Sequence, residues 1–427
     1  MNCKQLLEQL QQGGLDGRLL SLYGKNHLER ERARYSNALA AFAALYGEKR
    51  DISIFSVSGR SELSGNHTDH NRGLVIATSV DLDIIAVVAR NADSTVRVKS
   101  AGFPEDCVDI SCFNAPRPER FSHSDALVAG MCQGLRARGF AVGGFDAYTT
   151  SNILKGSGLS SSAAFEVMIG NIENHLYNDG RIDNAVIAQV AQYAENEFFG
   201  KPCGLMDQMA CALGGIISID FDDPSHPVVE QIAFDLSAHG YALCIVNTGG
   251  NHANLTPDYA AVPAEMKAVA AALGKEVLRE VDEQAFEAAL PALREQVGDR
   301  AILRALHFFG ENRRVVAQKQ ALLADDINAF FALVRASGSS SFRFLQNVYS
   351  PANPAEQGIS LALALAEGFL AERGGVCRVH GGGFAGTVQA YVPLNETDAF
   401  AARMDAVFGE GATIVLAIRP EGAIRVF

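Results

Sequence analysis

The sequence predicts an α+β protein of two domains, and three observations carry that expectation. The chain has 427 residues, more than one hydrophobic core usually organises. Strand-like and helix-like segments follow one another without the strict βαβ alternation of a doubly wound parallel sheet. Around "IISIDFDDPSHP" the composition turns to Asp, Ser and Pro, which divides the chain into 1–225 and 226–427.

The elements can be taken in order. "SNALAAFAALYG" reads as a helix closing on a glycine, and "ISIFSVSG" and "LDIIAVVAR" read as strands. Phe165, Met168, Ile169, Ile172 and Leu176 recur at i, i+3, i+4, i+7 and i+11, the stripe of a helix with one buried face. "YALCIVNTGG" reads as a strand, and "PAEMKAVAAALGKEV" and "RVVAQKQALLADD" as long helices. The tail then runs strand, glycine loop, strand, helix, strand: "VCRVH", "GGGFAG", "TVQAYV", "TDAFAARMDAVFG", "TIVLAIR".

Composition narrows the function classes. A net charge of −13 argues against nucleic acid or an acidic membrane as partner, because phosphate backbones select basic surfaces. A local nest of backbone N–H groups can still hold a small anion on an acidic protein. The eight cysteines form no C-x-x-C pair and are expected to be reduced thiols, mostly buried. "MNCKQLLEQLQQGG" lacks a secretory apolar core, and no apolar run approaches the ~20 residues of a membrane span, so a cytoplasmic location is expected. The sequence leaves the oligomeric state open.

Four segments carry candidate chemistry. "LKGSGLSSSAAFEVMIGNIENHL" combines glycines with three serines ahead of a helix, so Gly156, Ser157, Gly158, Leu159, Ser160, Ser161 and Ser162 are candidates to hold a phosphate at the helix N-terminus. The same features describe a capped helix after a turn, and nothing there matches GxxxxGK[ST]. "HGGGFAG" formally satisfies G-x-G-x-x-G, but a strand-like alternation follows where a dinucleotide fingerprint opens a helix; a tight hairpin connection is the expectation. Asp207 stands in an apolar stretch beside Met206 and Met209, where a carboxylate is either paired or used. "GRSELSGNHTDHNRG", 59–73, packs His67, Asp69 and His70 into four positions. An H-x-H-x-D-H metal motif would require a histidine at Gly65, which has no side chain to ligate.

Together and in this order, these segments resemble the GHMP small-molecule kinases and, within them, the galactokinases. "GRSELSGNHTDHNRG" is similar to the galactokinase signature, in which Gly-Arg leads into Gly-Glu-His-Thr-Asp-Tyr-Asn. "GSGLSSSAA" resembles the family's phosphate loop, "GGGFAG" its C-terminal glycine motif, and "PCGLMDQ" the stretch carrying its catalytic aspartate. The resemblance implies a GHMP kinase fold: an N-terminal domain of the ribosomal-protein-S5 second-domain type, a C-terminal ferredoxin-like domain, and the active site in the cleft between them. It further implies ATP-dependent phosphorylation of a galacto-configured sugar at its anomeric hydroxyl, with ATP and Mg²⁺. By that resemblance Asp207 is the base and Arg60 the cation facing the transferring phosphoryl group. Asn66, His67, Asp69, Gly204 and Tyr259 bind the sugar, and Ser162 and Glu195 hold Mg²⁺.

The departures fall on substrate choice. The signature's Glu is Asn66 here, and Glu62 stands where galactokinases carry Asn. Two like charges ~4 Å apart repel by roughly 4 kcal/mol at an effective dielectric of 20. Losing a carboxylate at Asn66 therefore makes galacturonate an alternative substrate; His70 and Arg72 would bring positive charge nearby or equally be solvated, the reading preferred for Arg72. A non-catalytic sugar and ATP sensor is a further alternative, against which the complete set of Arg60, Asp207 and the serine run speaks. A kinase for a non-sugar alcohol is disfavoured by the galactokinase-like "GNHTDHN" and "PCGLMDQ". Ala385 replaces a glycine of the last motif and is expected to strain the turn only if its φ is positive.

Overall fold

A computed structural model describes residues 1–112, 115–153, 158–201, 203–250 and 255–427. Twelve strands occur among them: β1 (Ser53–Ser64), β2 (Leu74–Arg90), β3 (Thr95–Ser100), β4 (Glu105–Asp109), β5 (Phe145–Ser151), β6 (Ile216–Asp220), β7 (Val228–Ile232), β8 (Tyr241–Asn247), β9 (Val376–Val379), β10 (Thr387–Pro393), β11 (Thr413–Leu416) and β12 (Ala423–Arg425). They form two sheets. The larger runs β12-β1-β2-β5-β3-β4, with β6 joining β2 and β7 joining β6; the smaller runs β11-β8-β10-β9 and is antiparallel throughout. The β6–β7 hairpin spans residue 225, and the C-terminal β12 returns to pair with β1.

Strand β1 is buried along its whole length because both its faces are covered. Side chains alternate along a strand. Ile54 therefore joins Ile85 and Val87 under the N-terminal helices, with Leu39 and Phe42 of the helix Leu28–Tyr46. Phe55 and Val57 point the other way, into the main core with Val167, Met168 and Ile172 of the helix Ser161–Tyr177. That main core continues through Leu243, Ile245, Val376 and Tyr391 into the smaller sheet. The smaller sheet's other face is covered by the helices Gly358–Leu370 and Thr397–Phe408. A separate cluster joins Val262 and Met266 of the helix Thr256–Ala272 to Ala305 and Phe308 of the helix Asp299–Leu323.

Two local irregularities aim the functional groups. The β1–β2 register shifts between Ser58 and Arg60, and this bulge turns the Arg60 N–H to the Leu159 carbonyl at 3.1 Å. A Cβ at Gly59 would stand 2.9 Å from that carbonyl oxygen, so glycine permits the approach. The second is a π-helical turn, Ala194–Phe198, that carries Glu195. The "GGGFAG" run joins antiparallel β9 and β10, as a hairpin connection should.

Candidate active site

Arg60 and Asp207 meet as a bidentate pair, Nε to Oδ1 and Nη2 to Oδ2, both at 2.7 Å. Arg60 comes from the β1 bulge and Asp207 from the first turn of the helix Met206–Leu213. Burial alone would raise the Asp207 carboxyl, but the guanidinium charge and the hydrogen bonds from Arg60 and Ser160 outweigh it and hold it below the usual carboxylate range. A third of its side chain (33%) stays accessible. Arg60 Nη1 also donates to the Gly158 carbonyl, tying the pair to the candidate phosphate loop.

Ser160 corrects one expectation. Its hydroxyl does not cap the following helix; its backbone is left-handed, at φ 56°, and its Oγ donates to Asp207 Oδ2. Leu159 is fully buried, and its carbonyl receives the Arg60 N–H. Ser161 and Ser162 begin the helix Ser161–Tyr177. The candidates Gly156 and Ser157 lie outside the described residues.

Ser162 and Glu195 are adjacent, Oγ to Oε1 at 3.3 Å. Glu195 is buried and receives Lys201 Nζ at 2.8 Å and Gln208 Nε2 at 2.8 Å. The same Gln208 nitrogen reaches Glu166 Oε2 at 3.3 Å. Burial, then the charge of Glu195, pushes the Glu166 carboxyl well above its usual range, and Glu166 Oε1 has no hydrogen-bond partner among the described residues. A hydroxyl and a carboxylate beside a second buried carboxyl make an oxygen donor set suited to a hard divalent cation that keeps its waters, so the residues fit Mg²⁺.

The turn after β1 supplies the other wall. Asp69 lies against Gly204, where an ideal Cβ would stand 2.0 Å from Asp69 Oδ2; only glycine leaves room for the carboxylate. Gly204 thereby brings Asp69 to the segment that carries Asp207 three residues later. His67, at φ 59°, directs Nε2 to the Gly382 carbonyl at 2.9 Å. Burial lowers its pKa to about 4, so the ring is neutral and donates through Nε2. Tyr259 Oη donates to the Gly383 carbonyl at 2.8 Å, and its ring meets Phe384 edge-on at 5.3 Å. Ala385 is absent from the positive-φ residues, so its methyl is tolerated; Phe384, at φ 59°, takes the left-handed position instead.

Asn66 is fully buried, unlike His67 and Asp69. Its amide Nδ2 lies 3.1 Å from Glu62 Oε1, so the charge absent at position 66 is present beside it. The carboxylate stands four residues earlier, and Arg378 Nη2 pairs with it at 2.7 Å. Arg72 points elsewhere, to Glu276 and Glu280, each at 3.0 Å. His70 is exposed, with Nε2 3.8 Å from Asp69 Oδ1. The charge reasons for favouring galacturonate therefore fall away. Nothing in the local sequence singles out Asn347, His307 or Glu311, all of which support this turn; Arg378 gives a signal, a charge inside the apolar strand "VCRV".

Comparisons with known proteins agree with this geometry. Residues 40–90 match the galactokinase galactose-binding signature, and 126–215 match the GHMP kinases N terminal domain. A galactokinase from Streptomyces coelicolor is 32% identical over 373 residues, 86% of this chain and 91% of that one. The structure of Lactococcus lactis galactokinase complexed with galactose aligns with a TM-score of 0.77 at 24% identity, over 92% of this chain and 100% of that one. Methanococcus jannaschii mevalonate kinase aligns with a TM-score of 0.61 at 13% identity, over 87% of this chain and 99% of that one. At such identities the structural likeness speaks for the fold.

Proposed function

The chain belongs to the galactokinase family of GHMP kinases, and from that premise we propose that it transfers the γ-phosphoryl group of ATP to the anomeric hydroxyl of galactose. The observation that carries this reading is the Arg60–Asp207 pair, bonded to Ser160 and Gly158 of the phosphate loop on one side and linked through Gly204 to Asp69 on the other. Asp69 accepts hydrogen bonds from ring hydroxyls, and His67 and Tyr259, each bonded to a carbonyl of the glycine loop, bound the sugar. The bond from the anomeric oxygen to phosphorus forms as the bond to the β-phosphate oxygen breaks, and ADP leaves with that electron pair.

Asp207 receives the hydroxyl proton. Its pairing with Arg60 makes it a weak base, which suits a loose transition state in which the hydroxyl becomes acidic only as the phosphoryl group arrives. Arg60 offsets negative charge as it develops and keeps Asp207 ionised. The phosphate loop meets ATP at the start of the helix Ser161–Tyr177. Mg²⁺, held by Ser162 and Glu195, would neutralise phosphate charge. We assign the two domains to 1–225 and 226–427, with β12 returning to the first sheet. Among the described residues no helix is long and apolar enough to cross a membrane. A cytoplasmic location goes with this reading.

The test is ADP release from purified protein with Mg-ATP against galactose, galacturonate, N-acetylgalactosamine, glucose and no sugar, with phosphorus NMR of the product. Galactose turnover with phosphate on C1, abolished in Asp207→Asn, is the expected result. Turnover of galacturonate in preference to galactose would overturn the assigned substrate. Galactose binding without turnover would overturn the activity.

A further inference from the structure

Asn66 is committed on every side. Its Nδ2 donates to the Gly381 carbonyl at 2.6 Å and to Glu62 Oε1 at 3.1 Å, and its Oδ1 accepts from Asn347 Nδ2 at 2.8 Å. Arg378 shares that Glu62 oxygen at 2.7 Å and also donates to the Leu63 carbonyl at 2.9 Å. All four side chains are buried. The turn's backbone is held as well: the Asn66 carbonyl accepts from His307 Nε2 at 2.9 Å, and the Gly65 N–H donates to Glu311 at 3.2 Å.

Buried polar groups are costly unless each is satisfied, and apolar residues could have closed this junction. What the network supplies is registration. Apart from the Glu62–Asn66 contact itself, its bonds join the turn region to chain 241 to 316 residues away in sequence. They lock the turn to the same glycine loop whose Gly382 carbonyl orients His67.

We infer that Glu62 and Asn66 are positioning residues for the sugar, a paired carboxylate and amide that set His67 and Asp69 against the glycine loop through Asn347 and Arg378. Neither touches the substrate, and the inference rests on the sugar-kinase reading above. The pairing has a chemical logic. A carboxylate at position 66 would face both Glu62 Oε1 and the Gly381 carbonyl, and an amide at position 62 would remove the carboxylate that pairs with the buried Arg378 guanidinium.

The experiment is a double-mutant cycle of Asn66→Asp and Glu62→Gln, followed by galactose KM, ATP KM, kcat and melting temperature. Asn66→Asp should raise galactose KM about tenfold or more, with ATP KM within about twofold. In the double variant one carboxylate and one amide remain, so its loss should be at least about tenfold smaller than the product of the single losses. An unchanged galactose KM, equal rises in both KM values, or losses that simply multiply would overturn the inference. If Asn66→Asp does not fold, Asn347→Ser decides: it removes the amide that donates to both Asn66 Oδ1 and the Gly382 carbonyl and should raise galactose KM selectively, and no change overturns the inference. A wild-type protein inert towards galactose would reject the activity instead. Galactose affinities of the same proteins by calorimetry would then decide the positioning role by the same criteria.

Discussion

Gly204→Ala isolates the sugar wall from the rest of the fold. Gly204 does not occupy the left-handed region, so alanine meets no backbone objection there. Its new methyl, however, would stand 2.0 Å from Asp69 Oδ2 and 3.0 Å from Asp69 Cγ. The obstacle is the far end of a side chain, and the carboxylate can turn away at the cost of its bond from the His70 N–H at 3.0 Å. That costs stability about 1 kcal/mol. The effect on sugar is larger, because a displaced carboxylate forfeits a charge-assisted hydrogen bond to a hydroxyl, about 1.5–3 kcal/mol or roughly ten- to hundredfold in galactose KM. The assay is steady-state kinetics with galactose and ATP varied separately, beside a melting curve. ATP KM should stay within about twofold. A folded variant with wild-type galactose KM would refute the placement of Asp69 against the sugar. A collapse of the melting temperature would show that the clash falls on backbone and not on the carboxylate.

Other outcomes follow from the same geometry. Asp207→Asn should lower kcat by about a thousandfold or more in stopped or coupled assays while galactose still binds by calorimetry; loss of binding alone would contradict its role as base. Because Arg60 holds the Asp207 carboxyl below 3.8, its ionised form persists until pH falls through that lower folded value, so kcat/KM should show no Asp207 inflection between about pH 5 and 8. Buried His380 has its pKa lowered to about 3 from 6.5, by burial first and then by Arg60 and Arg378. Below pH 6.5 the unfolded chain takes up a proton that the folded protein refuses. Stability should therefore be full above that pH and fall by about 1.4 kcal/mol per unit below it. Melting curves at several pH values should show a shallower acid slope in His380→Gln, and equal slopes would contradict the shift. Ala385→Gly should leave ATP KM within about twofold and cost about 1 kcal/mol or less of stability, because the alanine is unstrained; a tighter ATP KM would show that the methyl obstructs the loop.

How far the sequence reached depends on the range of the interaction concerned. The 3.6-residue stripe of Phe165, Met168, Ile169, Ile172 and Leu176 marks the helix Ser161–Tyr177, and "ISIFSVSG" marks β1, because backbone preference and one-sided burial act over a few residues. The ordered segments around Arg60, Ser162 and Asp207 were enough for the family, since a motif carries its chemistry within a dozen positions. Ser160 shows the first limit: helix-start logic assigned its hydroxyl to capping, but a carboxylate 47 residues away in sequence claimed it. Asn66 shows the second. By sequence it is a changed ligand of the sugar, whereas its side chain is buried between Glu62 and Asn347, the latter 281 residues away. Arg72, expected to be solvated, indeed turns out to the glutamates at 276 and 280. Composition and periodicity marked the elements, and the likeness of the ordered motifs to those of the galactokinases marked the family and the chemistry expected of it. Only the tertiary structure decided which polar groups meet a ligand and which satisfy one another, because sheet register and the packing of distant helices settle that competition for partners.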